Sequence, residues 1–229
     1  MKPSDLKNKL VLAHAGFSNR SASQRYRENS IAGVTESAAT DYIDIIELDL
    51  RKSSDGVLYR FHGNLLRYYT MLKFPLRFET LQRWYQVDTL ADMLRVIPSH
   101  KCIFLDIKNT SVTRADLLGI FTDKEFQEVI IGNKSVRYLR QFTDMPTMFV
   151  KILNGNVLCN FYNLTKLRAE GFKYFEVVFA WQLGTKAVQR VAHSGLILRI
   201  SGLGFFSSKH YWRTIKRHNI THVSSDFIE

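Results

Sequence analysis

Short β-type runs alternate with amphipathic helical patterns along the whole chain, no Gly/Ser/Pro-rich linker divides it, and acids recur at the ends of several predicted strands. Together these observations predict a single-domain α/β protein over residues 1–229, a (β/α)8 or TIM barrel. The 229 residues suffice for one such barrel, and 45% hydrophobic residues supply its core. An open doubly wound sheet is the alternative, but it gives no reason for acids on several strand ends.

Residues 9–16, KLVLAHAG, read as the first strand, and Asn29 caps an Ala-rich helix over 29–41. Residues 43–51, IDIIELDLR, are a strand; Asp55-Gly56 is a turn signal, and VLYRFH (57–62) is extended again. The stretch 63–88 is long for a compact barrel and interleaves Arg67, Lys73, Arg77 and Arg83 with aromatic residues, so it reads as a cap or insertion. Thr89 caps a helix over 91–97, and KCIFLDIKN (101–109) is a strand. Thereafter 116–126 is helical, EVIIGN a strand, 135–142 a helix, PTMFVKIL a strand and LTKLRAEG a helix. FKYFEVVF is a strand, TKAVQRVAHSG a helix, LILRIS a strand, SKHYWRTIKRHN a helix and THVSSDF the last strand. Gly171 and Gly195 each end a helix directly before a strand, as αβ connections do.

Lys and Arg number 32 against 21 Asp and Glu, a formal charge of +11. That field suits a small anionic substrate, with an anionic membrane surface as a transient second contact. No zinc-finger, RRM or P-loop pattern is present, so no nucleic-acid partner is expected. Cys102 and Cys159 have no metal-type spacing and read as free thiols of a reducing compartment. The N-terminal residues lack the apolar stretch of a signal peptide, and no run reaches membrane-spanning length, so a cytoplasmic location is expected.

The chemistry is concentrated in the first half. In a strand, side chains alternate, so Leu48 and Leu50 share one face while Glu47 and Asp49 share the other. Asp106 and Lys108 repeat the two-residue spacing on another strand, and His14 and His62 end two further extended runs. At the C-terminal rim of a barrel these groups converge. Three hard carboxylate oxygens suit one divalent cation, Mg2+ or Ca2+. With two histidines as proton donor and acceptor, and Lys108 as a fixed positive charge, the set serves phosphodiester cleavage. Glu176, an acid inside a predicted strand, is placed either at the site or in a buried ion pair.

These residues resemble the glycerophosphodiester phosphodiesterase family. The matching stretches are His14-Ala15-Gly16, Glu28-Asn29-Ser30, Glu47-Leu48-Asp49, Phe61-His62-Gly63, Asp106-Ile107-Lys108 and the closing SSDF. The resemblance implies a TIM barrel in which Glu47, Asp49 and Asp106 hold the cation and His14 and His62 are the acid–base pair. It also implies that Lys108, Glu28 and Asn29 contact substrate. The implied reaction hydrolyses a glycerophosphodiester-like substrate to an alcohol and a phosphomonoester, with a substrate hydroxyl attacking first. The chain departs from the pattern at Ala15, where the family has Arg, at Gly63, at Asp106 in place of Glu, and at Ser201 in place of Trp. Lys108, Arg20 and Lys151 are the candidate replacements for the lost guanidinium. The related sphingomyelinase D-like and lysophospholipase D-like enzymes, acting on lipid headgroups, are the second enzymatic reading. A non-catalytic phosphate- or membrane-binding barrel is the third.

Overall fold

A computed structural model describes residues 10–13, 30–62, 76–122, 124–155, 162–177, 185–200, 213 and 215–225. Its strands are β1 (Leu10–Ala13), β2 (Ile45–Lys52), β3 (Leu58–Arg60), β4 (Cys102–Ile107), β5 (Val129–Asn133), β6 (Phe149–Gly155), β7 (Phe172–Val177), β8 (Ile197–Ile200) and β9 (His222–Ser225). The helices between them are α1 (Ile31–Ala39), α2 (Phe78–Tyr85), α3 (Leu90–Val96), α4 (Arg114–Ile120), α5 (Val136–Leu139), α6 (Leu164–Ala169) and α7 (Thr185–His193). Every strand pairs in parallel with its neighbours except β3, which returns antiparallel along β2. Because β1 pairs with both β2 and β9, the remaining eight strands close into a barrel.

Alternation along the strands separates two cores. Leu48 and Leu50 of β2, Ile103, Leu105 and Ile107 of β4, and Phe175 of β7 point outward against Val34, Met93, Leu117 and Leu167 of the helices. The inward residues Leu12, Ile45, Phe104, Ile130, Ile152 and Tyr174 fill the lower lumen. Above this apolar plug the inward positions turn polar, which is the pattern that sets a TIM-barrel site at the C-terminal ends of its strands.

Local signals explain most boundaries. Helix α1 is capped by Ser30, whose hydroxyl accepts from the Gly33 amide at 3.2 Å, one residue later than the predicted cap Asn29. Thr89 caps α3 as predicted, its hydroxyl accepting from the Asp92 amide. Helix α4 starts earlier than its composition suggests, because Thr113 and Asp116 form a reciprocal capping box. It also ends earlier, at Ile120, rather than continuing to Phe126. Gly171 and Gly195 adopt φ of +82° and +75°, the left-handed turn that ends a helix before a strand. The connection after β3 contains a helix the sequence reading did not resolve, α2, tethered to the β2–β3 turn by a Phe78 amide donating to Asp55 at 2.9 Å. Of the predicted helix over 208–219, residues 213 and 215–219 are described, and 213 and 215–217 are helical. Among the described residues, no helix is long and apolar enough to cross a membrane.

Candidate metal centre at the barrel mouth

Strand β2 brings Glu47 and Asp49 to the lumen, and its parallel register with β4 sets Asp49 directly beside Asp106. One carboxylate oxygen from each of Glu47, Asp49 and Asp106 can be chosen so that all three lie within 4.8 Å of one another. Glu47 and Asp49 are buried and Asp106 nearly so. Like charges this close repel, and a cation among them offsets the repulsion. Lys108, just past the end of β4, supplies part of it: its ammonium lies 2.8 Å from Asp49 Oδ1 and also pairs with Asp106. Burial pulls the Lys108 ammonium down, but Asp49, Asp106 and Glu47 override it and hold the group above the usual lysine range. Three carboxylates of hard oxygen, with no thiolate, fit an oxygen-seeking divalent ion such as Mg2+ or Ca2+.

His62 reaches the same level through backbone geometry. The turn at Asp55-Gly56 sends β3 back beside β2, and the Phe61 amide donates to the Asp49 carbonyl at 3.1 Å. His62 therefore follows directly after the residue paired with Asp49. Arg51 Nε donates to the Phe61 carbonyl at 3.0 Å and fixes the peptide that leads into His62. The ring of Phe61 packs on Tyr85 of α2 at 5.4 Å, so the described part of the 63–88 excursion lies against this side of the mouth. His14, Glu28, Asn29, Ala15, Arg20 and Gly63 lie outside the described residues, as does Ser201.

Two residues on later strands join the cluster. The Arg199 side chain, only 1% exposed, crosses the lumen above Phe104, with its guanidinium carbon 4.2 Å from the ring centroid. Its Nη2 lies 3.3 Å from Glu176 Oε1 and 3.8 Å from Glu47 Oε2. Glu176 thus takes the ion-pair role, and Arg199 stands between it and the acidic cluster. Asn154, the inward residue of β6 two positions after Ile152, donates from Nδ2 to Asp106 Oδ1 at 3.0 Å. That contact spans β5, where Gly132 is the intervening residue. Gly132 pairs with Asp106 on one side and Ile152 on the other, and presents no side chain between them. A Cβ there would lie 2.4 Å from Phe104 Cε2 and 2.9 Å from Ile152 Cγ2.

Charge within a predicted strand singled out Glu47, Asp49 and Asp106, and the same signal marks Arg199 in LILRIS, where it was passed over. Asn154 was missed because the predicted strand stopped at Leu153. Lys151 does not compensate for the absent guanidinium, because it lies on the outward face of β6. Its ammonium donates to the Glu170 carbonyl at 2.5 Å and to Thr143 Oγ1 at 3.3 Å.

A closed barrel of eight parallel strands with charged groups over its C-terminal mouth defines a TIM-barrel protein, with its polar cluster where this fold carries chemistry. No protein-family model and no curated protein matches the sequence. Solved structures do. The chain is similar to a glycerophosphodiester phosphodiesterase from Thermotoga maritima, with a TM-score of 0.70 and 19% identity over 95% of this chain and 94% of that one. It is similar to an Oleispira antarctica phosphodiesterase in complex with the product sn-glycerol-3-phosphate, with a TM-score of 0.73 and 16% identity over 95% and 92%. A glycerophosphodiester phosphodiesterase from Agrobacterium tumefaciens matches with a TM-score of 0.69 and 17% identity over 95% and 96%. The shared fold does not by itself choose a reaction. A tryptophan synthase complex from Pyrococcus furiosus also matches, with a TM-score of 0.54 and 13% identity over 94% and 85%.

Proposed function

We propose that this chain is a metal-dependent phosphodiesterase that hydrolyses a glycerophosphodiester-like substrate to an alcohol and a phosphomonoester. The observation that carries the reading is the meeting of Glu47, Asp49 and Asp106 with Lys108 at the mouth of the barrel. It occurs in a fold shared with several glycerophosphodiester phosphodiesterases, one of them bound to sn-glycerol-3-phosphate.

Glu47, Asp49 and Asp106 would hold one Mg2+ or Ca2+, which when bound neutralises charge on phosphoryl oxygens. Lys108 contributes a second positive charge beside the phosphate, and Glu28 and Asn29 are assigned to the substrate. His62, and His14 one residue past β1, are assigned the proton transfers. One imidazole takes the proton of the attacking hydroxyl as its oxygen bonds to phosphorus. The other donates a proton to the departing alkoxide as the phosphorus–oxygen bond breaks. Attack by a substrate hydroxyl gives a cyclic phosphate, which water opens with the two histidines exchanging roles.

A second reading, hydrolysis of lipid headgroup diesters at an anionic membrane surface, is favoured by Trp84 on α2. It is 63% exposed and flanked by the exposed Arg77 and Arg83. Cys102 is a free thiol, as cysteines of a reducing compartment are, and we assign the protein to the cytoplasm.

The test is turnover of water-soluble glycerophosphodiesters and of lysolipids, with Mg2+ or Ca2+ and with chelator. Chelation, Glu47→Gln and His62→Ala should each reduce hydrolysis to background without unfolding the chain. Full activity in any of the three overturns the mechanism. Turnover of lysolipids alone selects the second reading. No turnover of any diester, with salt-sensitive binding to anionic vesicles, selects a non-catalytic barrel.

A further inference from the structure

The amide of Asn154 presents an acceptor that no described residue uses. Its residue is only 7% exposed, and its Oδ1 is buried and accepts no hydrogen bond among the described residues. A buried carbonyl oxygen of this kind ordinarily finds a donor, and leaving it without one is costly. The orientation of the amide is fixed by its neighbour: Nδ2 faces Asp106 Oδ1 at 3.0 Å, and the flipped amide would set two acceptors against each other there. The amide is thus held beside Asp106, one of the three carboxylates, with its oxygen on the other arm of the same group. The register Asp106–Gly132–Ile152 sets Asn154 two residues further along β6, so this proximity follows from the strand order of the barrel wall.

We propose that Asn154 Oδ1 is a fourth protein ligand of the divalent cation, joining Glu47, Asp49 and Asp106. The inference rests on the reading of that cluster as a cation site. A neutral amide oxygen adds a hard donor without adding a fourth like charge to a crowded group, which is how carbonyl oxygens commonly serve in oxygen-rich cation sites. The donor's N–H2 meanwhile satisfies Asp106, so one side chain both supplies an oxygen and orients a neighbouring ligand.

Calorimetric titration of Ca2+, and separately Mg2+, into the full chain tests this with wild type, Asn154→Ala and Asn154→Asp, each checked for its thermal transition. Asn154→Ala should weaken the ion that wild type binds by about tenfold or more. Asn154→Asp loses the donor to Asp106 but keeps an oxygen toward the ion, and should bind at least as tightly as wild type. If Asn154→Ala binds like wild type, the assignment is wrong. Should both variants weaken alike, Asn154 acts only through its hydrogen bond to Asp106, and the ligand role is equally overturned. Absence of binding heat for either ion in wild type sinks the cation reading itself and this inference with it, an outcome distinct from the other two.

Discussion

Arg199 is the cation that stands between the buried Glu47 and Glu176, and replacing it with Met is the most informative perturbation of the fold. Met keeps much of the side-chain volume above Phe104 but removes the charge, leaving Glu47 and Glu176 without the guanidinium that stands between them. At an effective dielectric constant of about 20, separations of 3.3 and 3.8 Å correspond to Coulomb terms of about 5 and 4 kcal/mol. The desolvation of three buried ions offsets much of this in the intact network. Removing one partner does not recover that offset, because the carboxylates stay buried, and the expected loss is about 3–5 kcal/mol. In a domain of this size that lowers the thermal midpoint by roughly 6–20 °C. Glu176→Gln costs less, since Arg199 keeps Glu47. The double variant should be more stable than the sum of the single losses implies, by about 0.5–3 kcal/mol. Circular dichroism melts and urea midpoints at pH 7.5 read all three. A wild-type midpoint for Arg199→Met, or strict additivity in the double variant, would refute the argument that the three groups form one network.

Two further outcomes follow from neighbouring contacts. Gly132→Ala forces a methyl to within 2.4 Å of Phe104 and should cost about 1–3 kcal/mol in urea denaturation, with part of the loss recovered by Phe104→Leu; an unchanged midpoint would show that the wall has slack there. His222, buried beneath the lumen, has its imidazole pushed down from 6.5 to about 4 by burial, then by Arg199 and Lys173. The folded state therefore disfavours the protonated form. Stability is fully present above pH 6.5 and falls as pH drops from about 6.5 toward 4, by up to about 3 kcal/mol. His222→Gln should flatten that part of the urea-midpoint profile, and an identical slope in the variant would assign it to other groups.

The fold was legible because β2, β4 and the later strands carry dense apolar runs separated by helix signals, and these set the parallel order almost unaided. Glu47, Asp49 and Asp106 were legible for a related reason: a charge on a strand buried on both faces needs a partner or an ion. What stayed hidden depends on residues far apart in sequence. The role of Asn154 follows from a contact 48 positions away, made across a glycine on the strand between. Helix α2 was hidden for a different reason. Its apolar residues pack on Tyr59, Phe61 and Val87 in a small separate cluster, so its pattern did not belong to the main barrel core.

The strand β3 also shapes the opening. Among the described residues, strand β1 pairs with β2 at Ile45 and Ile46, whereas Leu50 to Lys52, on the same edge, pair with β3. The ring of eight is thus closed by β1 beside the start of β2, and β3 lies along the same edge of β2 further on. An antiparallel ribbon about 4.8 Å across therefore lies beside the upper half of β2. The β2–β3 turn thus carries His62 to the level of Asp49, and trimming that turn would withdraw the imidazole from the acids.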